Sequence, residues 1–313
     1  MTNTGNKDTR SGFGAGLYEL GTINPNVVAL CADLIGSLKM EKFAESFPDR
    51  FFQTGIAEAN MMGVAAGLAV TGRIPFAGTF AEFATGRVYD QLRQSVCYSQ
   101  ANVKIAASHA GITLGEDGAT HQTMEDIALA RALPHMAVVN PCDYNQTRLA
   151  TLAAARWEGP LYLRFGRPAV PNFTPVDGPF EIGKAWMIQP GEDLTILATG
   201  HLVWEALEAL KILAQKGIRA ELINIHTICP LDEKAIIESA RKTGSVVTAE
   251  EHLVTGGLGE AVAGLLARHN PVPMRMVAME EGFGQSGTPR ELMDLYGLNA
   301  AGIVAKASEL RLR

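Results

Sequence analysis

Two doubly wound α/β domains, each on a largely parallel sheet and the second smaller than the first, are what this sequence predicts. Three observations carry the prediction. Short apolar runs alternate with helical segments almost without exception, the pattern of a parallel sheet covered on both faces. The alternation breaks once, between Gly166 and Asp193, where Pro168, Pro171, Pro175, Pro179 and Pro190 recur among glycines with no strong periodicity. The 313 residues suffice for two sizeable cores. The expected boundaries are 8–170 for the first domain, 171–192 for a crossing linker and 193–313 for the second.

The elements follow in order. About 12 polar residues at the start are expected to fray. Ser11 to Thr22 reads as a helix, and Val27 to Ala32 as a buried strand ending at Asp33. Glu41 to Phe47 reads as a helix and Phe51 to Thr54 as a strand. After a turn at Gly55, an apolar, small-residue helix runs from Ile56 to near Gly72. A strand at Pro75 to Thr79, a long helix from Ala81 to about Gln100 and a strand at Val103 to Ser108 come next. A glycine-rich loop, Gly111 to Thr120, leads to a helix from Thr123 to Ala132. The first domain closes with strands at Met136 to Asn140 and Leu161 to Phe165 around a helix from Tyr144 to Arg156.

The second series has strands at Leu194 to Ala198, Ala220 to Asn224, Ser245 to Ala249 and Met274 to Ala278. Helices from His201 to Lys216, Asp232 to Lys242 and Gly257 to His269 separate them. Two short helices end the chain, at Pro289 to Leu295 and Ala300 to Arg311.

Composition narrows the function. With 47% apolar and 19% charged residues this is an ordinary globular chain, and its net charge of −6 argues against nucleic acid or an anionic membrane as the main partner. No apolar run approaches the roughly 20 residues of a membrane span, and the N-terminus has no apolar signal region. Cys31, Cys97, Cys142 and Cys229 are far apart with no CxxC pair, so a reduced, cytoplasmic setting is expected. There is no GxxxxGK[ST] phosphate loop, HExxH, GxSxG or zinc-type Cys/His spacing. Gly12-Phe-Gly14-Ala-Gly16 and Gly256-Gly257-Leu-Gly259 resemble dinucleotide loops only superficially, since neither gives GxGxxG after a strand.

Three places carry candidate chemistry. Glu58 is the one formal charge between Arg50 and Arg73, in the first turn of a helix that follows a strand. It reads either as a capping acid that complements the helix dipole or as a ligand-binding group at a strand's carboxyl end. His109, Glu116, Asp117 and His121 fall within 13 residues after a predicted buried strand, with glycines between them. Such a loop can satisfy its own polar groups, or it can line a site whose backbone a ligand approaches closely. Phe80 and Phe83 open a helix after another strand, where they can pack in the core or stack a planar ring. Arg10, Arg164 and Arg167 lie at element ends, where they can stay solvated or hold a phosphate bidentately.

Taken together these motifs resemble the second half of a transketolase. They are Gly55-Ile-Ala-Glu58-Ala-Asn60, Gly78-Thr-Phe80, Ser108-His109-Ala-Gly and Gly-Glu-Asp-Gly-Ala-Thr-His121-Gln. The resemblance covers about residues 8 to 311 and implies a pyrimidine-binding domain followed by a transketolase C-terminal domain. It implies that Glu58 hydrogen-bonds the aminopyrimidine ring of thiamine diphosphate and that Phe80 and Phe83 pack on that ring. The family's third aromatic corresponds to Gly86 here or is replaced by Tyr89. It further implies that His109 and His121 line the donor channel with Asp117, and that Arg10, Ser37 and Arg164 hold the sugar phosphate. The implied reaction is reversible transfer of a two-carbon ketol unit from a ketose phosphate to an aldose phosphate.

The family's Gly-Asp-Gly signature for Mg²⁺ and the diphosphate does not occur in this sequence. The expectation is therefore a split transketolase, with a diphosphate-binding N-terminal subunit as partner and an α2β2 heterotetramer as the assembly. The alternatives are a 2-oxo-acid dehydrogenase β subunit, a deoxyxylulose-phosphate-synthase-like chain, and a structural subunit without catalysis.

Overall fold

A computed structural model describes residues 1 to 311. The chain divides into two units, one formed by Met1–Ala110 with Leu129–Ile182, the other by Gly111–Ala128 with the residues from Gly183 onward. The second unit thus takes in a segment that the sequence embeds in the first. Leu312 and Arg313, the end of the expected second domain, lie outside the described residues.

The first unit begins with strand β1 (Asn6–Asp8) and helix α1 (Thr9–Ile23). The residues expected to fray are therefore partly ordered. β1 pairs antiparallel with β8 (Ala169–Pro171), Lys7 opposite Val170, and Asp8 caps α1 by accepting from the Ser11 N–H at 2.9 Å. Next come β2 (Val27–Cys31), the short helices α2 (Ile35–Leu38) and α3 (Glu41–Ser46), β3 (Phe51–Gln53) and α4 (Glu58–Val70). β4 (Ile74–Phe80) leads into α5 (Ala81–Thr85), a 3₁₀ turn, α6 (Tyr89–Gln91) and a π-helical stretch, Leu92–Tyr98. The sequence reads as one helix here. Gly86, a poor helix former, sits where the α-helical path first breaks.

β5 (Lys104–Ser108), α7 (Asp126–Arg131), β6 (Ala137–Val139), α8 (Tyr144–Ala154) and β7 (Leu161–Arg164) follow. α7 is shorter than expected at its start, because Gln122 to Glu125 are committed to loop contacts. The strands lie in the order β6-β7-β5-β4-β2-β3, every pair parallel. The chain leaves β2 toward one edge and β4 toward the other, which makes the carboxyl ends of these strands a topological switch point.

The core beneath is closely packed. Phe13 and Phe165 stack with centroids 4.9 Å apart, among buried Leu17, Phe43 and Phe76. Gly12 and Gly16 let α1 lie against α8: a Cβ on Gly12 would collide with the Tyr144 carbonyl, and one on Gly16 would crowd Thr151. The apparent nucleotide-loop glycines are thus a helix-packing surface. Lys104 is fully buried, and its ammonium donates to Asn102 Oδ1 and to the Trp157 and Gly159 carbonyls at 2.6, 2.6 and 2.8 Å. Three donors meet three acceptors, so no polar group is left bare.

The second unit is built on the order β14-β13-β10-β11-β9. β9 (Trp186–Gln189), inside the proline-rich stretch read as a linker, pairs antiparallel with β11 (Ala220–Asn224). β10 (Leu194–Ala198), β11, β13 (Val246–Leu253) and β14 (Met274–Met279) are parallel. A short strand β12 (Thr227–Cys229) and helices α9 (Leu202–Gln215), α10 (Glu233–Thr243), α11 (Leu258–His269), α12 (Pro289–Leu295) and α13 (Ala300–Arg311) complete it. Leu197, Ile223, Ile236, Val246, Val262 and Leu265 form its buried core. No helix among the described residues is long and apolar enough to cross a membrane.

Candidate active site

In the first unit the candidate side chains gather at the carboxyl edge of the sheet. Glu58 is the first residue of α4, directly after the β3 connection. It is 3% exposed, and its carboxylate accepts from Arg87 Nη1 at 2.9 Å rather than from a backbone N–H of its own helix. The capping reading therefore does not describe it. Arg87 was not legible as a partner. It lies 29 residues away in the turn that breaks the expected long helix.

The same guanidinium lies over the Phe83 ring, 4.0 Å from its centroid. Phe83 stacks with Phe80 at 5.9 Å, and Phe80 stacks with the His109 imidazole at 3.8 Å. Arg87, Phe83, Phe80 and His109 thus form a continuous run of planar groups, with Glu58 hydrogen-bonded at one end. Tyr89, the candidate third aromatic, spends its hydroxyl on the Leu129 carbonyl at 3.1 Å.

His109 is the most constrained member. Its φ of 58° is left-handed, a conformation that costs a non-glycine residue on the order of 1–3 kcal/mol and is enriched at functional sites. Its Nδ1 lies 2.7 Å from Ser108 Oγ and its Nε2 3.5 Å from Arg10 Nη1. Burial first, then the positive charges of Arg10 and Arg167, pushes the imidazole down to about 3, so it stays neutral at physiological pH. Arg10 Nη1 also donates to the Ser37 carbonyl at 3.1 Å, and its Nε faces Asp8 at 3.4 Å. Burial lowers the Arg10 pKa from its ordinary value, against the opposing pull of Asp8. One guanidinium therefore joins Arg10, Ser37 and His109, with Arg167 close enough to act on both basic groups. Arg164 is buried at the last position of β7, in register with Ala107.

The neutral histidine makes stability depend on pH. Unfolding restores an ordinary histidine that titrates near 6.5, so between about 6.5 and 3 the unfolded chain binds a proton that the folded one refuses. Stability is then lost as pH falls through that window. Relative to His109→Gln, the wild-type chain should lose about 2 kcal/mol more in urea unfolding on going from pH 7 to pH 5. Equal losses in the two proteins would contradict the assignment.

Asp117 and His121 belong to the second unit. Asp117 is exposed, and His121 Nδ1 lies 3.0 Å from Thr120 Oγ1. Their loop is fixed by side chains to which the sequence assigns no role in it. Gln122 Nε2 donates to the Ile112, Gly115 and Gln285 carbonyls at 3.2, 3.1 and 2.9 Å. Glu251 accepts from the Thr113 N–H at 2.7 Å, and His252 Nε2 from the Ala128 N–H at 3.3 Å. Gly111, at φ 83°, is required where it stands, since a Cβ there would collide with the Glu251 carboxylate.

The model of the transketolase pyrimidine-binding domain matches residues 6–172, and that of the transketolase C-terminal domain matches residues 183–303. The chain belongs to the transketolase family. It is 47% identical to a solved split-gene transketolase described as an inactive beta4 tetramer, with a TM-score of 0.90 over 98% of each chain. It is 44% identical over 297 residues to the 6-deoxy-6-sulfo-D-fructose transketolase subunit SqwH of Clostridium sp., covering 95% of this chain and 92% of that one. It is also 38% identical over 301 residues to one subunit of the apulose-4-phosphate transketolase of Phocaeicola vulgatus, 96% of each chain. These end-to-end matches make it a C-terminal transketolase subunit and favour that reading over a 2-oxo-acid dehydrogenase β subunit. Split relatives of this kind imply an N-terminal partner subunit.

Proposed function

We propose that this chain, joined to a diphosphate-binding N-terminal subunit, catalyses thiamine-diphosphate-dependent transfer of a two-carbon ketol unit between sugar phosphates. The observation that carries this reading is the buried Glu58 carboxylate beside the stacked run of Phe83, Phe80 and His109. A buried carboxylate with a flat aromatic face next to it suits an aminopyrimidine, which offers ring nitrogens to the acid and a planar π-surface to the phenylalanines. Thiamine diphosphate, when bound, supplies the carbanion stabilisation that lets a carbon–carbon bond break and re-form. Glu58 would hold and return a proton at the pyrimidine ring nitrogen.

His109, neutral and aimed by Ser108, would accept from or donate to a substrate hydroxyl, and His121 and Asp117 would meet further hydroxyls of the ketose. Arg10, with Ser37 and Arg164, would hold the substrate's phosphate. In this reading the partner carries Mg²⁺ and the diphosphate, and the assembly is α2β2. Exposed apolar residues on and just before the helix that presents Glu58, namely Ile56 (76%), Val64 (37%) and Val70 (82%), support a covering chain there. Met61, Met62 and Ala65 of the same helix are core. The four free cysteines suit a cytoplasmic setting.

Reconstitution tests the proposal. Ketol transfer from a ketose phosphate to an aldose phosphate, measured with thiamine diphosphate and Mg²⁺, should appear when this chain is co-expressed with a candidate N-terminal subunit and be absent from either chain alone. Turnover by this chain alone would overturn the split assignment.

A further inference from the structure

We propose that the Arg87 guanidinium is a built-in placeholder for the aminopyrimidine, holding Glu58 and Phe83 in the cofactor-free chain and swinging out as the cofactor enters. This rests on the functional reading above and extends it to a residue that reading does not use. Two contacts define the placeholder. Arg87 Nη1 donates to Glu58 Oε1 at 2.9 Å, and the guanidinium carbon lies 4.0 Å above the Phe83 centroid. A planar, delocalised group that hydrogen-bonds the Glu58 carboxylate while lying on an aromatic face engages the same two partners assigned to an aminopyrimidine. Both groups cannot lie on the same face of the Phe83 ring at once.

The burial of the two partners is unequal, and that inequality favours exchange. The Glu58 side chain is 4% exposed, so an unpartnered carboxylate there would be costly in any state of the protein. The Arg87 side chain is 47% exposed, so it can rotate into water and regain hydration with little penalty. Its position allows this. Arg87 stands four residues after Phe83, where a helical path places side chains one above the other, and it belongs to the 3₁₀ turn around Gly86 rather than to a packed helix. The arginine therefore keeps Glu58 partnered and the Phe83 face covered until the ligand replaces it. The cofactor's apparent affinity is reduced by the fraction of chains in which the arginine is seated.

The test uses the assembled two-subunit apoenzyme and titrates thiamine diphosphate with Mg²⁺ by calorimetry, comparing wild type with Arg87→Met and Arg87→Lys. Removing a half-exposed ion pair and a cation–π contact should tighten binding about threefold to tenfold in Arg87→Met. Arg87→Lys, which can pair with Glu58 but cannot lie flat on Phe83, should fall between. Cofactor-free Arg87→Met chain should melt earlier than wild type, and saturating cofactor in the assembly should close the gap. Unchanged or weaker binding in Arg87→Met overturns the placeholder, and if that variant does not assemble, unchanged or weaker binding in Arg87→Lys does so. Wild-type assembly that binds no thiamine diphosphate would instead overturn the functional reading itself.

Discussion

Replacing Glu58 with glutamine in the reconstituted two-subunit enzyme should leave assembly intact and lower kcat by about 10²- to 10⁴-fold, the range for losing a positioned acid–base group. Glutamine keeps the shape and the acceptor that Arg87 Nη1 uses at 2.9 Å, so the fold around α4 should hold. What it cannot do is exchange a proton with a ring nitrogen. The loss should therefore appear in kcat and kcat/KM together, with KM for the sugar phosphates little changed, since the proposed phosphate grip rests on Arg10 and Ser37 whereas Glu58 pairs with Arg87. Steady-state kinetics beside a gel-filtration profile decides it. A variant that assembles and turns over within a few-fold of wild type removes Glu58 from the chemistry.

The largest effect on stability is expected at Asp143. Its carboxylate is fully buried and accepts four hydrogen bonds: from the Gln146 N–H at 2.9 Å, the Phe173 and Thr174 N–H groups at 2.8 and 2.7 Å, and Thr174 Oγ1 at 2.7 Å. It caps α8 and at the same time pins the segment after β8. Asp143→Ala strips one partner from every one of these donors inside the core, which should cost about 3–5 kcal/mol in urea unfolding of the chain. Asp143→Asn should recover part of this, because one amide oxygen can still accept. A loss under about 1 kcal/mol would show that the network is redundant. Because β8 also pairs with β1, a destabilised 172–174 segment should loosen the strand that leads to Arg10.

The strands and the site's address were legible because both follow from local pattern. A run such as Val27–Cys31 is apolar at every position and buried at every position, and Pro289–Leu295 starts at the Thr288 capping box. Glu58, Phe80 and His109 were found because each lies at or after a strand's carboxyl end. What was not legible depends on partners distant in sequence. Nothing near Glu58 announces Arg87, and nothing in Gly111–Ala128 announces Glu251, whose bond to the Thr113 N–H spans 138 residues. The proline-rich stretch hid β9 because its pairing with β11, not its own periodicity, makes it a strand. The helix expected from Ala81 to Gln100 first breaks at Gly86, a poor helix former, and the same turn brings Arg87 to Glu58, which no local pattern announces.

The glycines of α1 bear on the order in which the molecule folds. Gly12, Gly14, Gly16 and Gly21 each forfeit up to about 1 kcal/mol of helix propensity relative to alanine, so a peptide of this sequence has little reason to be helical in water. The helix gains its stability only once α8, and the Lys39 backbone against which Gly14 rests, are already in place to receive its bare surface. α1 is then a late arrival, with low φ-values expected along its length. Arg10, at its first turn, is brought to Ser37 and His109 in the closing stage of folding, so a chain can hold most of its sheet before this cluster exists.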